Sequence, residues 1–172
     1  MIRLVPYVLA VTVGAPAATG AASPAEDAGQ EHAALAKALP VAKVSLRSGL
    51  STAATVGKPI SAKFEVEDGK LLLSVYAERD GKFSEVVVDH VTGKVAKSEP
   101  ITEGEDLSAA KSQSEAMARA RGSLSAAVSK AVSANPGYHA VSVFPSLKNG
   151  HPVAEVSLHK GAEWRTVTVK LY

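Results

Sequence analysis

The sequence predicts an α+β fold made of two tandem repeats, each a helix packed on a three-stranded antiparallel sheet. Three observations predict it. Each half of the 172-residue chain has a segment with apolar residues on one helical face, followed by three segments in which apolar and polar residues alternate. Pairs of turn-forming residues, such as Asp68-Gly69 and Asn149-Gly150, separate the alternating segments. The order of these parts is the same in both halves, which indicates an internal duplication.

The first 22 residues are typical of a secretory signal peptide. Arg3 is the only charge in this stretch, and it precedes an apolar run from Leu4 to Val13 and then mostly small residues. We expect cleavage between Ala18 and Ser23. The alternative is an uncleaved anchor, but a span needs roughly 20 apolar residues. The pattern therefore predicts a periplasmic or secreted protein with no membrane span after signal cleavage.

Residues 23–39 are expected to form an N-terminal tail with a short helix, and residues 40–97 the first repeat. Ser45 is a predicted N-cap for a helix that ends before Gly57. Asp68-Gly69 and Asp80-Gly81 are predicted two-residue hairpin loops. These loops put all apolar strand positions on one face of the sheet, for the helix to cover. The predicted pairs are Val66 with Leu71, Phe64 with Leu73, Ala62 with Val75, Val75 with Val86 and Leu73 with Val88.

Residues 98–107 are predicted to be a polar linker, and residues 108–172 the second repeat, which begins with a long Ala-rich helix. Ser45 in the first half corresponds to Ser123, 78 residues later, and Gly69 corresponds to Gly150, 81 residues later. The small change in offset falls in the loop between helix and sheet, where insertions are tolerated. Two unrelated domains of equal topology are the alternative to a duplication.

A short run after the third strand makes the resemblance to a known family specific. The run is Val87-Val88-Asp89-His90-Val91-Thr92-Gly93-Lys94-Val95. It resembles the Val-Asp-Ala-x-Thr-Gly-Lys-Val ending of PepSY domains, with His90 in place of the usual small residue. Residues 40–97 and 117–172 are similar to PepSY domains in their helix, break and hairpins. The resemblance implies an exported or envelope-linked module that binds or restrains peptidases, and it supplies no catalytic residues to carry over.

Composition and motifs exclude several functional classes. The chain has no cysteine, so disulfides, thiolate metal sites and Cys nucleophiles are excluded. A net charge of +2 without a basic stripe does not favour a nucleic-acid partner. The sequence contains no Gly-x-Ser-x-Gly motif and no phosphate-binding or dinucleotide-binding fingerprint. We therefore predict that the protein is not an enzyme and binds no cofactor.

Histidines and carboxylates are the remaining candidates for a metal site. In the predicted register His139 lies opposite Lys160 and His159 opposite Ala140, on different faces, so no histidine site is expected. Acidic residues on the outer sheet face leave an alternative function open, a periplasmic metal-ion or small-ligand binding protein. These residues are Glu65, Glu67, Glu78, Glu85 and Asp89.

Apolar residues on the outer face of the predicted sheets form the candidate partner surface. They are Leu72, Tyr76, Phe83, Val87, Phe144 and Trp164. An exposed apolar patch is typical of a binding surface for a protein or peptide. Two alternatives would bury it, namely packing of the halves on each other and coverage by the long Ala-rich helix. The sequence thus predicts a non-enzymatic exported binding or regulatory module, with a peptidase or an envelope protein as its partner.

Overall fold

The computed structural model describes the backbone of residues 24–172 and the side chains from Gly29 onward. The signal peptide predicted at residues 1–22 lies outside the described residues. The described part contains four α-helices and seven strands. The elements are α1 (Pro24–Ala38), a 3₁₀ turn (Leu39–Val41), α2 (Leu46–Ala53), β1 (Lys58–Glu67), β2 (Lys70–Arg79), β3 (Lys82–Val88), β4 (Val95–Ile101), α3 (Gly104–Arg119), α4 (Leu124–Ser133), β5 (His139–Lys148), β6 (His151–Lys160) and β7 (Glu163–Lys170).

All seven strands belong to one antiparallel sheet with the order β4-β3-β2-β1-β5-β6-β7. The α+β class predicted from the sequence is therefore confirmed. The two halves do not form separate three-stranded sheets, because β1 pairs with β5 at Ala62–Val143 and Lys63–Ser142. This junction places β4 at one edge of the sheet and β7 at the other.

The predicted register of the first two hairpins is confirmed. Val66 lies opposite Leu71, and Val75 lies opposite both Ala62 in β1 and Val86 in β3. Asp68 and Asp80, each followed by glycine, have positive φ angles in the two loops. Such paired left-handed residues match the twist of the flanking strands. The short loops therefore hold the apolar residues of three strands on one face.

The register of β5 differs from the prediction because of a β-bulge. The register shifts between Ala140 and Ser142, so that Ala140 rather than Val141 lies opposite Leu158. Between the bulge and the Asn149-Gly150 loop, the predicted pair of Val143 and Val156 is present. The same irregularity occurs between Pro59 and Ser61 in β1. A bulge places two residues opposite one and changes the register of everything beyond it.

The chain segments predicted to be a tail and a linker are largely regular structure. α1 begins at Pro24, so the predicted tail is helical where the structure describes it. Residues 98–107 contain most of β4 and the first turn of α3. β4 was missed because it is exposed on both sides up to Ile101 and shows no apolar alternation. It is a strand because it pairs with β3.

The core lies between the inner face of the sheet, which carries Leu73 and Val75, and the helices α2 and α4. Ser45 and Ser123 cap these helices, each accepting a hydrogen bond of 3.1 Å from the backbone N–H three residues later. Each helix buries one stripe of its surface. The stripe is Leu46, Gly49, Leu50 and Ala53 in α2, and Leu124, Ala127, Val128 and Ala131 in α4.

Gly49 permits the close approach of α2 to the sheet. A Cβ atom at this position would lie 2.6 Å from Cδ2 of Leu73, which is fully buried. We expect Gly49→Ala to lower the free energy of unfolding by about 1–2 kcal/mol, because overpacking outweighs the gain in helix propensity. Chemical denaturation would measure the change. Gly29→Ala, in α1 with nothing within 4 Å, is the control and should be neutral or slightly stabilising. A Gly49→Ala protein as stable as the native chain would contradict the packing described.

Candidate functional site

The helix α3 covers part of the outer face of the sheet. It packs against β1, β5 and β6. The Tyr76 hydroxyl donates a hydrogen bond of 3.0 Å to Asp106 of α3, and Ser114 of α3 donates one of 2.5 Å to Glu78. Of the two ways of burying this face considered from the sequence, coverage by the Ala-rich helix is therefore the one observed.

The six residues of the predicted partner surface all lie on the outer face, but they do not form an exposed patch. Tyr76 is 2% exposed, so it cannot contact a partner while α3 stays in place. The other five are half-buried. Trp164 is covered on one side by the His32 ring of α1, which stacks on it at 4.1 Å between ring centroids.

A layer of polar side chains lies buried on the outer face around Tyr76. Glu85 is 8% exposed, and burial raises the pKa of its carboxyl, with the charge of Glu65 adding to the effect. Burial also raises the pKa of the Tyr76 hydroxyl, and the charge of Asp106 adds to it. Four buried oxygens of this face have no hydrogen-bond partner among the described residues. They are Oε1 of Glu65, Oγ of Ser74, Oε1 of Glu85 and Oε1 of Gln113.

The Asp-x-x-Thr-Gly-Lys run forms the tight turn that connects β3 to β4. Asp89 was expected on the outer face of the sheet, but its carboxylate accepts hydrogen bonds from the backbone N–H groups of Val91 (2.8 Å) and Thr92 (2.7 Å). These bonds lower the pKa of Asp89. The Thr52 hydroxyl of α2 donates to the carbonyl of Gly93 at 2.8 Å. The run is therefore a structural element that ties α2 to the sheet.

The bulge in β5 brings two histidines together that the sequence had placed apart. His139 lies directly opposite His159, because the register shift turns both onto one face. The His159 ring in turn contacts Trp164 at 4.6 Å. A cleft of about 510 Å³ lies beside these residues, between the segment after α1 and the β6–β7 loop, and Leu39, Pro40, His139, His159 and Lys160 are among its lining residues.

The histidines and acidic residues whose side chains the structure describes are not clustered as metal ligands. Within residues 29–172, no group of three or more His, Asp or Glu side chains is arranged to hold a metal ion. In the same residues, no helix is long and apolar enough to cross a membrane.

The two edges of the sheet differ in their capacity to pair with another strand. In a hairpin closed by a two-residue loop, the residues beside the loop exchange both hydrogen bonds, and bonded and unbonded pairs then alternate. Lys160 and Glu163 flank such a loop. Odd-numbered residues of β7 therefore bond to β6, and the even-numbered residues from Trp164 to Lys170 direct their N–H and C=O groups outward.

The opposite edge is blocked by proline. The same rule applies to the hairpin of β2 and β3, whose two-residue loop is flanked by Arg79 and Lys82. Even-numbered residues of β3 bond to β2, so its odd-numbered residues bond to β4. These pairs are Phe83 with Ile101, Glu85 with Glu99 and Val87 with Lys97. Ser98 and Pro100 of β4 therefore face away from the sheet. Proline has no N–H to offer, and native edge strands are commonly protected in this way. β7 contains no proline, so among the described strands it is the edge that can accept a partner strand.

Comparison with protein-family models gave no match, and comparison with curated proteins gave no significant match. Among solved structures, the chain is similar to a crystal structure described as that of a "putative lipoprotein" from Clostridium difficile 630. The two share 11% sequence identity with a TM-score of 0.40, over 66% of this chain and 74% of the other. A likeness of this size carries no argument about function or location.

The buried carboxyl of Glu85 yields a test of the polar layer. Its pKa in the folded state is raised, so the ionised carboxyl opposes folding above that pKa, and the effect vanishes below its ordinary value of 4.5. We expect Glu85→Gln to raise the melting temperature at pH 7 and to have little effect below about pH 4.5. Thermal melts across this range would measure it, with Glu31→Gln on the exposed surface of α1 as the control. A loss of stability at pH 7 would show that the charge of Glu85 is needed in the fold.

The Asp89 turn yields a second test, with the opposite sign. The lowered pKa means that ionised Asp89 stabilises the fold above its ordinary value of 3.8, and that this contribution is lost as the pH falls through the folded-state value. We expect Asp89→Ala to lower the melting temperature at pH 7 and the difference from the native chain to narrow in acid. Asp89→Asn keeps an acceptor oxygen without the charge, so its melting temperature at pH 7 should lie between those of Asp89→Ala and the native chain. Equal melting temperatures for Asp89→Ala and the native chain at pH 7 would contradict this role.

Proposed function

We propose that this protein is an exported, non-enzymatic binding module, built from two fused PepSY-like repeats, which holds an extended segment of a protein partner. The single observation that carries the proposal is the unequal pair of sheet edges: β4 is blocked at Pro100, and β7 has no partner strand on its outer side among residues 24–172. Backbone pairing with a strand edge is a recurring way of binding extended segments without a deep pocket.

Several features support the assignment of two repeats. The buried stripes of α2 and α4 repeat at an interval of 78 residues, and the Ser45 and Ser123 caps have the same geometry. The bulges of β1 and β5 and the left-handed residues Asp68 and Asn149 repeat at an interval of 81 residues. Ala62 pairs with Val143, which is its own equivalent in the second half. Equivalent residues that pair antiparallel imply an approximate twofold axis between β1 and β5.

Three polar side chains that were candidates for a functional site from the sequence have structural roles, which supports a proposal of binding rather than catalysis. Tyr76, Glu78 and Asp89 make hydrogen bonds that hold α3, β2 and the β3–β4 turn in place. Export is proposed from the signal-peptide pattern, and a peptidase or another envelope protein is proposed as the partner from the resemblance to PepSY domains.

The proposal predicts a protein partner in the cell envelope. The exported chain, immobilised and incubated with the solubilised envelope fraction, should retain a protein that then binds the purified chain with a defined stoichiometry in calorimetry. A column carrying the heat-unfolded chain is the control. Retention of no protein would overturn the proposal. Heat on titration with divalent cations, in the absence of any protein partner, would favour the alternative of a metal-ion carrier instead.

A further inference from the structure

The kind of strand that would pair with β7 can be inferred from β4, which pairs with the equivalent strand β3. β3 and β7 occupy equivalent places in the two halves. Each is the second strand of a hairpin, and the two strands begin 81 residues apart, at Lys82 and Glu163. β3 is covered by β4, with Ile101 opposite Phe83 and Lys97 opposite Val87. Among the described residues, nothing takes the place of β4 beside β7.

We propose that β7 binds an extended acidic segment of another protein, antiparallel and in the register that β4 adopts on β3. This inference rests on the proposed function and names the chemistry of the partner. In this register an apolar side chain lies opposite Trp164, as Ile101 lies opposite Phe83. The register of β4 shifts by one residue between its partners Val87 and Val88. A segment that continues along β7 without this shift places the residue six positions earlier opposite Lys170.

Charge determines which segments fit. The first residue of β7, Glu163, is acidic and accepts a hydrogen bond from the Tyr138 hydroxyl. From Trp164 to Lys170 the strand carries Arg165 and Lys170 and no acidic residue. Lys170 is exposed, and among the side chains that the structure describes its ammonium group contacts the Tyr172 ring, 5.4 Å from the centroid. Opposite charges in directly facing strand positions stabilise pairing, and like charges destabilise it. An acidic residue opposite Lys170 is therefore favoured.

The backbone of β7 supplies most of the recognition. Thr166 and Thr168 are exposed, and their outward N–H and C=O groups lie between Trp164 and Lys170, the two positions whose side chains select the segment. A segment of seven residues would pair with Trp164, Thr166, Thr168 and Lys170. Side chains of the segment between these positions face the inner side of the sheet, where Arg165 is held by the Tyr138 ring at 4.6 Å and by Asn135 at 3.2 Å.

The test uses a synthetic peptide and the exported chain labelled with ¹⁵N. The probe is the β4 sequence Val95–Ile101 with Val95→Glu and Lys97→Thr, blocked at both ends, with Pro100 retained to close its far edge. We expect the probe to shift the backbone amide signals of Thr166, Thr168 and Lys170 more than those of Arg165 and Val167. Replacing both glutamates of the probe by lysine should weaken binding about tenfold.

Two matched pairs separate edge pairing from other binding. Thr168→Pro removes an outward N–H and should weaken binding at least about tenfold, whereas Thr168→Val keeps the N–H and should bind normally. If Thr168→Pro fails to fold, edge pairing is tested with N-methylated probes and the native chain. N-methylation at its Glu99 position, which faces β7, should abolish binding, and N-methylation at its Ser98 position should not.

The outcomes distinguish this inference from the proposed function. Shifts elsewhere on the chain, or equal binding of the two N-methylated probes, would overturn the acidic-segment proposal. A dimer in sedimentation that Thr168→Pro dissociates would show that a second copy of the chain occupies β7 and would also overturn it. An envelope protein retained equally by the native chain and by Thr168→Pro would leave the binding function standing and reject β7 as its site.

Discussion

The pairing of β1 with β5 is the contact on which the rest of the structure depends. Ala62 and Val143 face each other at this junction, and each is almost completely buried. Because the two strands are antiparallel neighbours, the halves share one sheet instead of packing face to face. The helices α2 and α4 then lie on the same face and contact each other. A break at this junction would expose the backbone of two central strands at once.

One sheet with α2 and α4 on its inner face leaves an outer face that other segments must cover. His32 of α1 covers Trp164, and the part around Tyr76 needs a further segment. The chain between the halves meets this need, since α3 follows β4 directly and carries Asp106, Gln113 and Met117 to the sheet. The contacts it makes are mixed in character. Polar side chains such as Tyr76 and Glu85 lie beneath or beside a helix with few large apolar residues, so the inner face provides most of the hydrophobic stabilisation. The outer layer is the less strongly held of the two.

How much could be predicted from the sequence depended on whether the signal was local. The first two hairpins were predicted residue by residue because Asp68-Gly69 and Asp80-Gly81 fix the loops, and the loops fix the register. The bulge near Ala140 was missed because no glycine marks it. The pairing of His139 and His159, which depends on the bulge, was therefore missed as well. β4 was missed because its residues are exposed and include Pro100, so only its partner strand makes it a strand. Trp164 was identified as a candidate contact, but the open edge beside it becomes visible only when β4 is seen to close the other edge.

Pro100 has a consequence for how copies of this protein can assemble. A sheet with two open edges can grow without limit, because every added copy presents a new acceptor strand. Here the β4 end of one molecule offers no N–H at position 100 to the β7 end of another, so head-to-tail chains lack a bond at their centre. A single proline at one edge of the sheet therefore limits edge-to-edge growth between copies of the chain.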